Sequence, residues 1–224
     1  MQITAVIPIR AGSKGLPGKN TRELLGIPLY MHAVRCAKEA GIDEVVVATD
    51  DPKVLEHSDP SYKTFHRSAH SARDDAPTHE VLIELIEARN LHENLIVLLQ
   101  ATSPLRRSQT VRAVIDLMNE PDVDLGCSVT RIDNGFLKSG LVKDGFLQPL
   151  IDPTTLFKPR QYLPELFKMD GGVYAFHGRW LVDNGSLETD KIKVVKSNHC
   201  EALDIDSLDD FALAEKQLRS KVSG

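Results

Sequence analysis

The stretch Gln2-Ile3-Thr4-Ala5-Val6-Ile7-Pro8-Ile9, continued by Arg10-Ala11-Gly12-Ser13-Lys14-Gly15-Leu16-Pro17-Gly18-Lys19-Asn20, sets the terms for the rest of the chain. Its apolar residues run without alternation over residues 2–9, which predicts a strand buried on both faces, as in a parallel sheet. The glycines that follow let the backbone approach an anion with its N–H groups exposed, and Arg10, Lys14 and Lys19 add fixed positive charge. A strand that ends in such a loop is expected to hold polyphosphate; the plainer alternative is a glycine-rich turn with solvated lysines. The loop is not a Walker A motif, because five residues separate Gly12 from Gly18 where four are required, and Asn20 stands where Ser or Thr should be. Nor does it spell G-x-G-x-x-G.

Outward from this stretch, apolar runs alternate with amphipathic ones. Residues 29–40 read as a helix with Leu29, Ala33, Cys36, Ala37 and Ala40 on its apolar stripe, and residues 44–49 as a second strand. Residues 78–89 read as a helix, 94–100 as a buried strand, 108–119 as a helix and 125–131 as a strand. This order predicts a layered α/β fold with a mostly parallel sheet and crossover helices.

Between residues 134 and 168 the rhythm breaks. Residues 140–148 resemble a hairpin turning at Asp144-Gly145, followed by a segment holding Pro149, Pro153, Pro159 and Pro164. We read 134–168 as a small insert within a single domain spanning 1–224. The sheet pattern resumes at residues 172–176 and 191–196. A helix over residues 207–220 closes the chain, with Ser207 and Asp210 in capping-box spacing and Phe211, Ala214 and Leu218 as its stripe.

Composition narrows the function. The chain has 224 residues with 27 Lys+Arg against 32 Asp+Glu, a net charge of −5, which argues against nucleic-acid binding and requires any phosphate site to be local. No apolar run reaches the roughly 20 residues of a membrane span. Cys36, Cys127 and Cys200 lie far apart with no C-x-x-C pair, which predicts reduced thiols and, with no leader-like start, a cytoplasmic protein.

Three further stretches carry candidate chemistry. In Leu203-Asp204-Ile205-Asp206-Ser207, alternation along a strand puts Asp204 and Asp206 on one face about 7 Å apart, where two hard oxygen ligands can meet one divalent cation. The alternative is a pair of solvated acids before a helix. Gln100-Ala101-Thr102-Ser103-Pro104-Leu105-Arg106 follows a buried strand and so lies at a carboxyl end, where open α/β sheets bind ligands. Arg67 and Arg73-Asp74-Asp75-Ala76-Pro77-Thr78 precede a helix whose N–H groups could face a ligand, although surface ion pairing is the simpler reading of Arg73 and Asp75. His66, His70 and His79 do not have metal-ligand spacing.

Taken together, these segments resemble the CMP-sialic acid synthetases, the acylneuraminate cytidylyltransferase family. The likeness rests on residues 7–15 with Lys19-Asn20, on residues 99–106, on Arg160-Gln161-Tyr162-Leu163-Pro164, on Asp170-Gly171-Gly172-Val173-Tyr174 and on Asp204-Ile205-Asp206, in the family's order along nearly the whole chain. The resemblance implies a doubly wound, Rossmann-like α/β fold of nucleotidyltransferase type, and transfer of CMP from CTP to the anomeric hydroxyl of a nonulosonic acid, with Mg²⁺ as cofactor. Arg10, Lys14, Asp204 and Asp206 would be catalytic, the two aspartates as metal ligands. Arg10, Ala11, Gly12, Ser13, Lys14, Lys19, Asn20, Arg67 and Thr78 would hold the nucleotide; Gln100, Arg160, Asp170 and Tyr174 would lie at the sugar. It also implies that the insert is the arm of a homodimer, which places Arg160 in the neighbouring subunit's site.

The chain departs from the family pattern at several positions. Asp170 stands where Asn is usual, Ser68 and Ala101 where Pro is usual, and the stretch between Asp50 and Arg67 is short. A carboxylate at Asp170 beside an acidic sugar would repel it by about 1 to 4 kcal/mol at about 4 Å, so it either faces away or meets an amine or hydroxyl. Two other readings remain at this point: a cytidylyltransferase for another sugar acid such as Kdo, and a non-catalytic nucleotide-binding homologue.

Overall fold

The computed structural model describes residues 1–12, 16–57, 59–73 and 75–222. Its centre is a seven-stranded sheet in the order β11-β7-β10-β6-β1-β4-β5. The strands are β1 (Ile3–Pro8), β4 (Glu44–Thr49), β5 (Lys63–His66), β6 (Leu95–Leu99), β7 (Leu125–Ile132), β10 (Leu166–His177) and β11 (Ile192–Lys196). All run parallel except β10, which is antiparallel to both of its neighbours.

Why the apolar runs become two-sided strands is visible in the packing. Ala5, Ile7, Val45, Val47, Leu95, Val97 and Leu99 face one core with helices α1 (Leu29–Glu39) and α4 (Ser108–Leu117). Their sequence neighbours Val6, Val46, Ala48, Ile96 and Leu98 face the other, with α3 (Thr78–Arg89) and α6 (Gly178–Asn184). The period-2 alternation thus separates two buried faces rather than an inside from an outside, and crossover helices cover both. A third cluster joins Leu16, Leu24 and Leu29 to Ile205, and to Phe211 and Ala214 of the closing helix α7 (Leu208–Val222). It docks the end of the chain against the loop that follows β1.

The long apolar elements lie within a residue or two of their expected bounds. Others differ for identifiable reasons. β10 is 12 residues long rather than the five of residues 172–176, because Asp170-Gly171-Gly172 forms a bulge inside it: Met169 pairs with Val129 and Tyr174 with Cys127, so five steps along β10 match two along β7. Gly171 takes φ 75°, a left-handed conformation suited to glycine. Residues 166–168, expected in the insert, therefore pair with β7. Residues 204–206 form no strand; their backbone meets the end of β6 through Ile205 N–H, which donates to the Thr102 carbonyl at 2.9 Å. The expected burial alternation is nonetheless present, with Ile205 buried and both aspartates exposed.

Additional short elements carry too little apolar sequence to announce themselves. They are α2 (Pro52–Glu56), the edge strand β5, helix α6, and a hairpin of β2 (Glu23–Leu24) and β3 (Ile27–Pro28). The arm holds the expected hairpin, β8 (Gly140–Lys143) with β9 (Phe146–Pro149), turning through Asp144 at φ 51° and Gly145 at φ 80°. Helix α5 (Pro153–Phe157) and a 3₁₀ turn at Arg160–Tyr162 follow. Cys36 and Cys127 are buried thiols and Cys200 is exposed; none is paired with another. Among the described residues, no helix is long and apolar enough to cross a membrane.

Candidate active site

A cleft of about 510 Å³ opens at the carboxyl ends of β1 and β6, and its walls come from segments far apart in sequence. Arg10, Lys19 and Asn20 enter from the loop after β1, Gln100 and Thr102 from the end of β6, and Arg67, Arg73 and Thr78 from the approach to α3. Asp206 enters from the segment before α7. The sheet supplies this convergence, since parallel strands deliver their following loops to one edge.

The loop after β1 is tied down by short polar contacts. Asn20 Nδ2 donates to the Arg10 carbonyl at 3.4 Å, and Ala11 N–H donates to Asp50 Oδ1 at 3.0 Å. Arg10 donates in turn to the Arg73 carbonyl at 3.5 Å. Ala11 and Gly12 sit on the exposed surface beside the cleft without lining it, while Ser13 and Lys14 lie outside the described residues.

Lys19 bridges the two ends of the chain. Its Nζ donates to the Ile205 carbonyl at 2.6 Å and to Asp206 Oδ1 at 2.9 Å. The Asp206 side chain is 76% exposed, so one carboxylate oxygen is engaged while the group as a whole still faces the opening. Asp204 is exposed but does not line the cleft. Among the described residues, no three His, Cys, Asp or Glu side chains converge on one metal position. Mg²⁺ characteristically needs fewer, since it is held by one or two carboxylates together with substrate phosphates and water. A cleft with the Asp206 carboxylate at its opening and several cations along its walls therefore has donor chemistry that fits Mg²⁺.

Arg67 is a buried cation at the cleft wall, only 7% exposed, and its Nε has no hydrogen-bond partner among the described residues. Burial pulls its pKa down; the charge of Asp50 opposes this, Arg10 adds to it, and Glu84 and Glu80 again oppose. Thr78 opens α3 directly after Pro77 and so sits where the first N–H groups of a helix are unpaired.

The other residues expected at the sugar do not line this cleft. Asp170 is buried beneath the β10 bulge, where it accepts from Ser128 Oγ at 2.5 Å, Ser197 Oγ at 2.5 Å and Gly172 N–H at 2.8 Å. Buried and satisfied by these donors, it does not line the cleft, so its charge is not presented there. Tyr174 is half-buried in the sheet; burial raises its pKa, helped by Cys127, Asp170 and Asp204. Arg160 lies on the arm, where its Nη1 pairs with Asp133 Oδ2 at 3.3 Å.

Sequence reasoning missed three groups. Arg73 pairs loosely with Asp75 at 3.6 Å, as expected, yet it also lines the cleft. Arg106 is a buried cation whose Nε donates to the Gly172 carbonyl at 2.6 Å and whose Nη2 donates to the Gln100 carbonyl, joining the β6 end to the β10 bulge. Glu84 receives three hydrogen bonds from Ser68 and Ser71. For Arg106 the only signal was its place at the end of a quoted motif.

A model of a family described as cytidylyltransferase matches residues 4–174. The chain belongs to the cytidylyltransferase family. The match runs from β1 into β10 and so includes every cleft residue except Asp206. This family member is 31% identical over 226 residues to the CMP-N,N'-diacetyllegionaminic acid synthase of Legionella pneumophila, covering 96% of each chain. It is 26% identical to an N-acylneuraminate cytidylyltransferase of Streptococcus agalactiae over 94% of its own length; it spans about half, 52%, of that longer protein. A solved structure of a CMP:2-keto-3-deoxy-manno-octonic acid synthetase complexed with CTP superposes with a TM-score of 0.74 at 19% identity, covering 99% of this chain and all of that one. That likeness establishes the nucleotidyltransferase fold.

Proposed function

We propose that the protein transfers CMP from CTP to the anomeric hydroxyl of a nonulosonic acid of the sialic or legionaminic type. The hydroxyl oxygen forms a bond to the α-phosphorus, the bond to the β-phosphate oxygen breaks, and pyrophosphate leaves with the electron pair while the hydroxyl proton passes to solvent. The observation that carries this reading is a cleft lined by the cations Arg10, Lys19, Arg67 and Arg73 and by a single carboxylate, Asp206, which pairs with Lys19. Such a reaction depends chiefly on positioning and on stabilising phosphate charge.

In this reading Arg10 and Lys19 hold the phosphates, with Ser13 and Lys14 assigned from the sequence motif. Asn20 completes that loop beside Lys19, Arg67 and Thr78 face the nucleoside, and Gln100 faces the sugar. Asp206, with Asp204 beside it, would hold Mg²⁺, which when bound neutralises phosphate charge and favours the ionised sugar hydroxyl. The Lys19 bond to Asp206 keeps that carboxylate aimed at the opening. Dimerisation through the arm would bring Arg160 to a neighbour's sugar end. Unpaired cysteines and the demand for CTP fit a cytoplasmic setting.

The test is pyrophosphate release with Mg²⁺, crossing CTP, UTP, GTP and ATP against legionaminic acid, N-acetylneuraminic acid, other nonulosonic acids and Kdo. Release with CTP and a nonulosonic acid is expected; release with Kdo alone would overturn the sugar assignment. Asp206→Asn should cost roughly 100-fold or more in turnover, the scale of losing one electrostatic stabiliser, with the melting temperature little changed. Near-normal activity of that variant would remove Asp206 from the metal.

A further inference from the structure

Arg67 and Arg73 reach the cleft from the two ends of a short turn, residues 67–73, that belongs to no helix or strand beyond β5. The backbone of Arg67 is fixed by one bond, its N–H to the Thr49 carbonyl at 3.1 Å. The turn folds on itself: Ser71 N–H donates to Ser68 Oγ at 3.3 Å, Ser71 Oγ to the Ser68 carbonyl at 3.3 Å, and Ala72 N–H to the same carbonyl at 3.0 Å. Two carboxylates on α3 reach the turn: Glu80 Oε2 lies 3.4 Å from His70 Nε2 and 4.0 Å from Arg73 Nη2, while Glu84 takes up the backbone and hydroxyl donors of Ser68 and Ser71. Glu84 Oε1 accepts from Ser68 N–H at 2.8 Å, and Glu84 Oε2 accepts from Ser71 Oγ at 2.6 Å and from Ser68 Oγ at 3.1 Å.

We propose that Glu84 is a positioning residue of the nucleotide site, acting through Ser68 and Ser71 to set where Arg67 and Arg73 meet the cleft. Glu84 does not itself line the cleft; it acts there through the turn and through its charge on the Arg67 guanidinium. Three donors on one ionised carboxylate make charge-assisted bonds, stronger than neutral ones. The long side chain of Arg73 and the buried guanidinium of Arg67 transmit any backbone shift at the turn to the cleft wall. Arg67 Nε has no partner among the described residues, so where the guanidinium sits depends on the backbone that carries it as well as on the nearby charges of Asp50, Glu84 and Glu80. The clamp also occupies the position where the resemblance described above leads one to expect Pro. In place of a ring that fixes φ, Ser68 offers an N–H and a hydroxyl, both of which Glu84 receives.

The inference rests on the cleft being the CTP site, and the experiment separates the two. Nucleotide affinity is measured by calorimetry with CTP and UTP on wild type, Glu84→Ala, Glu84→Gln and Ser71→Ala, with turnover measured alongside. Glu84→Ala should weaken CTP binding about tenfold and raise the KM for CTP equally, leaving the KM for the sugar acid and kcat at saturating CTP within about twofold. Glu84→Gln, which can still accept from the Ser68 N–H and exchange bonds with the hydroxyls, should recover most of the affinity, and Ser71→Ala should fall between. If Glu84→Ala lowers the melting temperature while the folded protein binds CTP as wild type does, the residue is only a staple and the proposal falls. It falls too if the sugar KM moves as much as the CTP KM. Should Glu84→Ala fail to fold, Ser71→Ala and Glu84→Gln decide by the same readouts. A wild type that binds UTP rather than CTP, with the same Glu84→Ala penalty, would overturn the CTP reading and keep the clamp.

Discussion

Asp170 and Arg106 are opposite charges buried in the same region, and both are engaged by hydrogen bonds, although Arg106 Nη1 has no partner among the described residues. Removing an ionised group from water costs several kcal/mol even after relaxation, so the three bonds to Asp170 and the two carbonyls on Arg106 are what permit burial. Gly172 is shared between them: its N–H goes to Asp170 and its carbonyl to Arg106. A different residue shows the pH consequence of burial. His32 donates from Nε2 to the Leu24 carbonyl at 3.0 Å as a neutral ring, and burial, aided by Arg35, lowers its pKa despite that bond. Below the ordinary value of about 6.5 the unfolded chain takes up a proton that the folded protein refuses, so stability declines as pH falls from there toward the lowered folded value. His32→Gln should therefore lose less melting temperature between pH 8 and pH 5.5 than wild type does. Equal losses would assign the acid sensitivity elsewhere.

At the scale of elements, α7 is placed by its first turn. Ser207 Oγ accepts from Asp210 N–H at 3.2 Å while Asp210 Oδ2 accepts from Ser207 N–H at 2.8 Å, the reciprocal pairing that the sequence spacing predicts. Ser207→Ala should cost about 1 kcal/mol, seen as a melting temperature lower by roughly 2 to 4 °C for a chain of this size. An unchanged melting temperature would mean that Phe211 and Ala214 in their cluster fix the helix unaided. The cap was legible because its partners are three residues apart. So were β1, β4, β6, α1 and α3, whose apolar patterns are dense enough to fix type and bounds. β5, Lys-Thr-Phe-His on a sheet edge, has no such pattern, and the glycines in β10 imitate a strand end. The site follows the same logic. Arg10, Lys19, Asn20, Arg67, Thr78, Gln100 and Asp206 stood out by residue type and do converge. Glu84 and Arg106 did not, because they act by bonding to turns and carbonyls, and the Lys19 bond to Asp206 closes across 187 residues.

For the whole molecule the arm is the feature that a single copy leaves unsatisfied. Phe136, Leu141, Val142, Phe146, Leu147 and Phe157 are all exposed, Phe157 by 89%, on a segment with little core of its own. Exposed apolar side chains gathered on one extension are the signature of an association surface. Sedimentation at micromolar concentration should show a dimer, and Phe157→Lys should shift it toward monomer without lowering the yield of folded protein. A wild type that sediments only as a monomer would remove Arg160 from any shared site.

The two strands that carry the arm have a consequence for how such a protein can change. Ile132, at the end of β7, and Leu166, at the start of β10, are register partners, so the arm begins and ends at one rung of the sheet. Topologically it is an overgrown hairpin loop, and lengthening a loop is cheap, with each doubling costing only about 0.6 kcal/mol in closure entropy. The arm can thus be exchanged, trimmed or re-sequenced as a cassette while the strands beneath it and the cleft keep their places. New partners are then open to this architecture without a new fold.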